Sequence, residues 1–143
     1  MHKHADSLAH FCAQLRTVAK ALADEPPKRI GYRERVIIER PLFLVMKEVC
    51  RRRLGYDLHG LSEEHRKSLE SLLIQGNEDT KQVQNLLHEA FEVRVFLLDL
   101  SSTNPYVQGD ALSRASLTKK DVVEVLSRSL HRLAGRALDE AGE

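Results

Sequence analysis

Apolar residues return at spacings of three and four along most of the chain, which is the period of an amphipathic α-helix. Leu8, Phe11, Cys12, Leu15, Val18, Ala19 and Leu22 form the first such stripe. Asp6 or Ser7 is placed to cap its start, and Pro26-Pro27 ends it by removing backbone donors. The run Val36-Ile37-Ile38 is β-branched and short enough to suit either a strand or one turn of buried helix. Helix is favoured, because Tyr32-Arg33-Glu34-Arg35 before it and Glu39-Arg40 after it are not turn chemistry. Pro41 is then expected as the first residue of a new helix, where its missing N–H costs nothing. Leu42, Val45, Met46, Val49, Cys50 and Leu54 give that helix its stripe. Arg51, Arg52 and Arg53 crowd its last turn, and Gly55 follows, which together make a stop signal.

Ser62 stands before Glu63-Glu64 as a cap, and Gly76 is expected to close the helix carrying Leu69, Leu72 and Leu73. Asp79 or Thr80 opens a longer one, with Val83, Leu86, Leu87, Ala90, Phe91, Val95 and Leu98 at helical spacing. Its far end, Val93 to Leu100, is apolar on several faces, which predicts that this is the core helix. Ser101 to Tyr106 reads as loop, and residues 107 to 116 as a short helix. Thr118 caps the last helix, Asp121 supplies an acidic variant of the capping box, and Leu117 and Val122 suit a hydrophobic staple. Val122, Val125, Leu126, Ser129, Leu130, Leu133 and Ala137 form its stripe. The expected fold is all-α: a compact bundle or orthogonal array of five to six amphipathic helices, with little or no β. A length of 143 residues fits one helical domain, 1–143, with a frayed N-terminus (1–5) and C-terminus (140–143).

Cysteine and charge usage narrow the surroundings. Two cysteines without a C-x-x-C motif do not make a secreted scaffold, and both fall on apolar positions, where a thiol behaves as a small hydrophobe. No signal peptide is legible at the N-terminus, and the longest apolar run, Leu42 to Met46, is far short of a membrane span. A cytoplasmic address without membrane contact is the expectation. A net charge of +1 argues against a chain that lives on nucleic acid through bulk electrostatics. A local excess remains: Lys28 to Lys67 holds eleven Lys or Arg against six Asp or Glu.

Four constellations bear on function. From Ala111 to Arg128 the chain can be laid on a helix-turn-helix, with Leu117 in the buried turn position. Lys119, Lys120 and Arg128 would then point outward as possible nucleic-acid contacts. Ser116 where glycine is common and Leu112 where a small residue packs better count against it, and an ordinary capped helix explains the same residues. Arg51, Arg52 and Arg53 offer bidentate donors to phosphate or to an acidic protein surface. Three consecutive helical residues fan over about 200°, however, so they cannot all meet one ligand. Seven histidines are present without H-E-x-x-H, and no metal or other cofactor is assigned. No phosphate-cradling glycine loop, G-x-S-x-G or dinucleotide fingerprint appears, and no catalytic residue is assigned. The leading expectation is a non-catalytic protein–protein interaction module, acting on another protein or on a second copy of itself. The alternative is a nucleic-acid-binding regulator with a helix-turn-helix-like segment near residues 111–128.

Overall fold

A computed structural model describes residues 6–73, 78–114 and 121–142. It contains helices α1 (Ser7–Asp24), α2 (Tyr32–Leu54), α3 (Glu63–Leu73), α4 (Lys81–Leu100), α5 (Pro105–Arg114) and α6 (Val122–Ala141), with a 3-10 turn at Glu78–Thr80. The described residues hold no strand, so the all-α bundle read from apolar periodicity is the fold.

Side-chain contacts fix how the helices run. Cys12 Sγ lies 3.5 Å from Ala134 O, and Ser127 Oγ donates to Ala19 O at 2.7 Å, so α1 and α6 are antiparallel. Arg52 joins the end of α2 to Asp6 at the start of α1 and to Ala141 at the end of α6. Arg94 of α4 approaches Glu39 of α2, and Arg53 reaches Asp79 just ahead of α4. Helices α2 and α6 therefore run parallel through the middle, with α1 and α4 antiparallel to them on either flank. Helix α5 packs on the outer side of α4. Val93, Leu97 and Leu100 are buried between these layers. That sandwiching explains why the end of α4 is apolar on several faces, and it corrects the expectation that α4 is the central helix: α2 and α6 are.

Most sequence signals for helix ends are realised. Asp6 caps α1 by accepting from Ala9 N at 3.1 Å, and Gly55 closes α2 with φ of 63°, a left-handed value that disfavours a side chain. Tyr56 N then bonds Cys50 O at 3.2 Å. At the other end of α2, Glu34 Oε1 accepts from Gly31 N at 2.8 Å. Pro41 does not begin a helix; it lies inside α2 with its ring buried. A proline there removes the bond to the carbonyl four residues back. That carbonyl belongs to Ile37, which faces solvent, so water can take the bond. Helix α5 also starts earlier than expected: Asn104 Oδ1 accepts from Tyr106 N at 3.0 Å, and Pro105 takes the first helical position. The last helix buries Val123, Ser127 and Ala134 rather than Val125 and Ser129, because it is covered on two sides. Small residues at Cys12, Ala19, Ser127 and Ala134 let α1 and α6 approach closely. Residues 140 and 141, expected to fray, form the last turn of α6, and Ala141 is buried. The last helix begins at Val122 with Asp121 as its N-cap residue and without a side-chain cap bond, so Asp121 is not the third residue of a box opened at Thr118. The expected cap Thr118 itself, Leu117, Gly76 and residues 1–5 lie outside the described residues.

Candidate functional site

The arginine cluster at the end of α2 is drawn into the fold. Helix α6 ends with carbonyls that have no partner inside the helix. Arg53 Nη1 donates to Glu140 O at 2.7 Å and to Glu140 Oε2 at 3.0 Å, while Arg53 Nη2 donates to Asp79 O at 2.8 Å. Arg52 Nη1 donates to Ala141 O at 3.1 Å, and its other nitrogens meet Asp6 Oδ1 and Glu48 Oε2 at 3.3 Å. Arg51 donates to Glu48 Oε2 at 2.7 Å, and its side chain remains 60% exposed against 17% for Arg52. Burial pushes the Glu48 carboxyl up, but the hydrogen bonds from Arg51 and Ser7 and the charges of Arg51 and Arg52 outweigh it. Glu48 consequently titrates below its ordinary range. Of the three arginines, only Arg51 is presented to solvent.

The helix-turn-helix candidate is only partly visible. Ala111 is buried on α5 and α6 begins at Val122, but residues 115–120, including Lys119 and Lys120, lie outside the described residues. Arg128 is exposed on α6 and paired with Glu124.

A different surface stands out on the N-terminal half of α2. Ile38, Pro41 and Leu42 are buried, while Tyr32, Val36 and Ile37 point away from the core at 70%, 43% and 48% exposure. Tyr32 and Val36, four apart, share a helical face, and Ile37 lies about 100° round from Val36, so the three form a broad exposed ridge. Between the ridge and α1 runs a groove of about 560 Å3, with Ala13, Val18, Val36, Ile37 and Pro41 supplying apolar surface and Arg40 an exposed cation. The sequence carried this signal: α2 has apolar residues at 36, 37, 38, 41 and 42, more than one inward face can take. The β-branched run posed the question of strand against helix, and that question hid the more useful one of which face the helix turns outward.

On the other side of the ridge is a more polar cavity of about 390 Å3, lined in part by Glu39, Phe43, Ser62, His65 and Arg94. Glu39 Oε1 is buried 3.6 Å from Arg35 Nη1 and 3.7 Å from Arg94 Nε, an ion-pair cluster that sequence gave no means of finding because Arg94 comes from another helix. Arg35 also lies over the Tyr32 ring, 5.1 Å from its centroid. Ser62 Oγ and His65 Nδ1 are 2.6 Å apart at the start of α3. A nucleophile–base pair needs a third group to orient the imidazole, and none bonds His65 Nε2 among the described residues. A Cβ at Gly60 would come within 2.8 Å of the His65 ring, so that glycine is what lets the imidazole sit there.

The thiols are poor nucleophiles where they stand. Burial raises Cys50 to about 12, and burial above all raises Cys12 to about 11. Among the described residues, no three His, Cys, Asp or Glu side chains gather as a metal site, and no helix is long and apolar enough to cross a membrane. The chain matches no protein-family model, no curated protein and no solved structure.

Proposed function

We propose that this protein is a non-catalytic protein–protein interaction module, and that the N-terminal half of α2, with the groove it forms against α1, is the docking surface. The observation that carries this reading is the exposure of Val36 and Ile37 on a helix whose neighbouring apolar residues are buried. Contiguous exposed apolar residues flanked by polar ones mark interaction surfaces in soluble proteins. A groove between two helices is a common receptor for a partner's helix. The apolar end of α4 is no rival surface, since Val93, Leu97 and Leu100 are buried and α5 packs on this helix.

Site-specific photo-crosslinking in cells tests the reading. A crosslinker at position 37 is expected to give a discrete adduct, and one at the exposed position 128 none. The adduct at 37 should vanish when Val36 is replaced by Asp. No adduct at 37, or the same diffuse ladder from both positions, would overturn it. The nucleic-acid alternative loses Arg52 and Arg53, which are bonded to the carbonyls of α6. Light scattering with mixed duplex DNA separates the classes. Phosphate-driven binding must weaken steeply as salt rises, whereas an apolar interface tolerates salt.

A further inference from the structure

We infer that the α1–α2 groove receives an acidic amphipathic helix from a partner protein, with its apolar stripe on Val36 and Ile37 and its carboxylates on Arg33 and Arg40. This rests on the docking surface proposed above and adds the chemistry of its occupant.

The charge pattern around the groove selects the partner. No residue lining the groove is acidic. Lys28, Arg29, Arg33 and Arg40 are exposed and form no ion pair among the described residues. Elsewhere Arg66, Arg114, Arg128 and Arg132 each hold a carboxylate, whereas Arg16, Lys67 and Lys81 are also exposed without an ion pair among the described residues. Arg40 is set apart by lining the groove. Of the nearby carboxylates, Glu34 is engaged with the backbone of Gly31, Glu39 with Arg35 and Arg94, and Asp24 with Lys20. Glu25, in the loop with Lys28 and Arg29, is exposed and forms no ion pair among the described residues. Arg40 on the groove lining, and Arg33 two turns away on the same face of α2, both without ion pairs among the described residues, are complementary to acidic residues carried on a helix.

Spacing adds a second constraint. Arg33 and Arg40 are seven residues apart, about two helical turns or ~10 Å, and so share a face. Val36 and Ile37 fall between them. A helix laid along α2 would present carboxylates at the same seven-residue interval while its apolar residues entered the groove.

The same pattern disfavours the other occupants. A second copy docking through a two-fold axis would bring this face against itself. Arg33 and Arg40 would meet the same arginines of the copy, and no carboxylate lines the groove to separate them. Duplex DNA would satisfy the cations but leave Val36, Ile37 and the apolar floor without contact, since base-independent binding runs through phosphates.

The test uses fluorescence anisotropy with a labelled helical peptide of roughly 18 residues, long enough for five turns. It carries a leucine stripe flanked by glutamates at seven-residue intervals. One control replaces every glutamate by lysine, and another disperses the leucines around the helix. The acidic peptide is expected to bind the full chain at least about tenfold more tightly than either control. Ile37→Asp should abolish binding, and the double variant R33E/R40E, with its fold checked by circular dichroism, should reverse the preference to the lysine peptide. A structural role for these arginines would not produce that reversal. Equal binding of the acidic and lysine peptides, both lost with Ile37→Asp, would overturn the acidic partner and leave the docking surface standing. Equal binding of the dispersed peptide, or efficient competition by duplex DNA, would show a general polyanion site and overturn the inference. No binding by any peptide, or a homodimer dispersed by Ile37→Asp, would overturn it as well. The first of these would leave the crosslinking result to judge the surface on its own.

Discussion

The two halves of α2 carry similar residues and treat them in opposite ways. From Pro41 to Leu54 the apolar residues lie in the core, and Arg52 and Arg53 bond the carbonyls that end α6. From Tyr32 to Arg40, branched aliphatics stand in solvent and Arg33 and Arg40 have no ion pair among the described residues. The difference lies in what each half faces. The C-terminal half runs beside α6 and ends where three helix termini converge, so an arginine there finds acceptors with no partner of their own. The N-terminal half lies against α1 on one side and meets α4 on the other through Glu39, whose carboxylate Arg35 and Arg94 share. That leaves Arg33 and Arg40 no acceptor among the described residues. Arginine clusters in a sequence therefore divide by whether a helix end lies within reach, which residue type and spacing do not report.

The contrast can be broken at several points. The largest effect is expected in the core: Leu42→Ala should cost about 2–5 kcal/mol in denaturant unfolding, because it leaves a cavity between packed helices. Ile37→Ala, five residues earlier, should stay within about 0.5 kcal/mol. Similar losses at both positions would mean the ridge is part of the core. Next comes Arg53→Ala, expected to cost about 1–2 kcal/mol by leaving carbonyls at Glu140 and Asp79 without their donor. Arg33→Ala should be close to neutral on the same measurement, and an equal cost would put both arginines in one class.

The smallest effect is on pH dependence. Glu48 titrates below its ordinary range in the fold, so its contribution is full above the unfolded-state value, near pH 4.3, and is lost as pH falls through the lower folded value. Glu48→Gln should flatten that part of the acid unfolding curve while leaving the neutral-pH side parallel to wild type. An unchanged acid limb would remove Glu48 from the network that ties α2 to its neighbours.

Helix number and most helix ends were legible because they depend on local signals. Asp6, Gly55 and the stripe of α1 state their roles within a few residues. Pro41 misled because a local rule predicts a boundary, whereas burial of its ring and exposure of Ile37 allow the helix to pass through it. The order of packing was not legible. That α2 and α6 lie at the centre depends on which stripes meet, and every stripe looks alike in sequence. The same limit applied to the surface. Arg51, Arg52 and Arg53 looked like a patch, yet two of them are held by residues about ninety positions away. The candidate ridge used a run already noticed, Val36 to Ile38, whose outward face became visible only once its neighbours were placed.

One side chain, Arg52, touches both Asp6 at 3.3 Å and the carbonyl of Ala141 at 3.1 Å. The start of α1 and the end of α6 therefore lie side by side, on the end of the bundle where α2 stops. A host protein needs no more than a surface loop to accommodate such a unit, since its own backbone resumes beside the point where it was interrupted. The ridge at Tyr32 to Arg40 sits at the opposite end of α2, some three turns or more away. Anything joined at the seam would hold the groove outward, clear of the attachment.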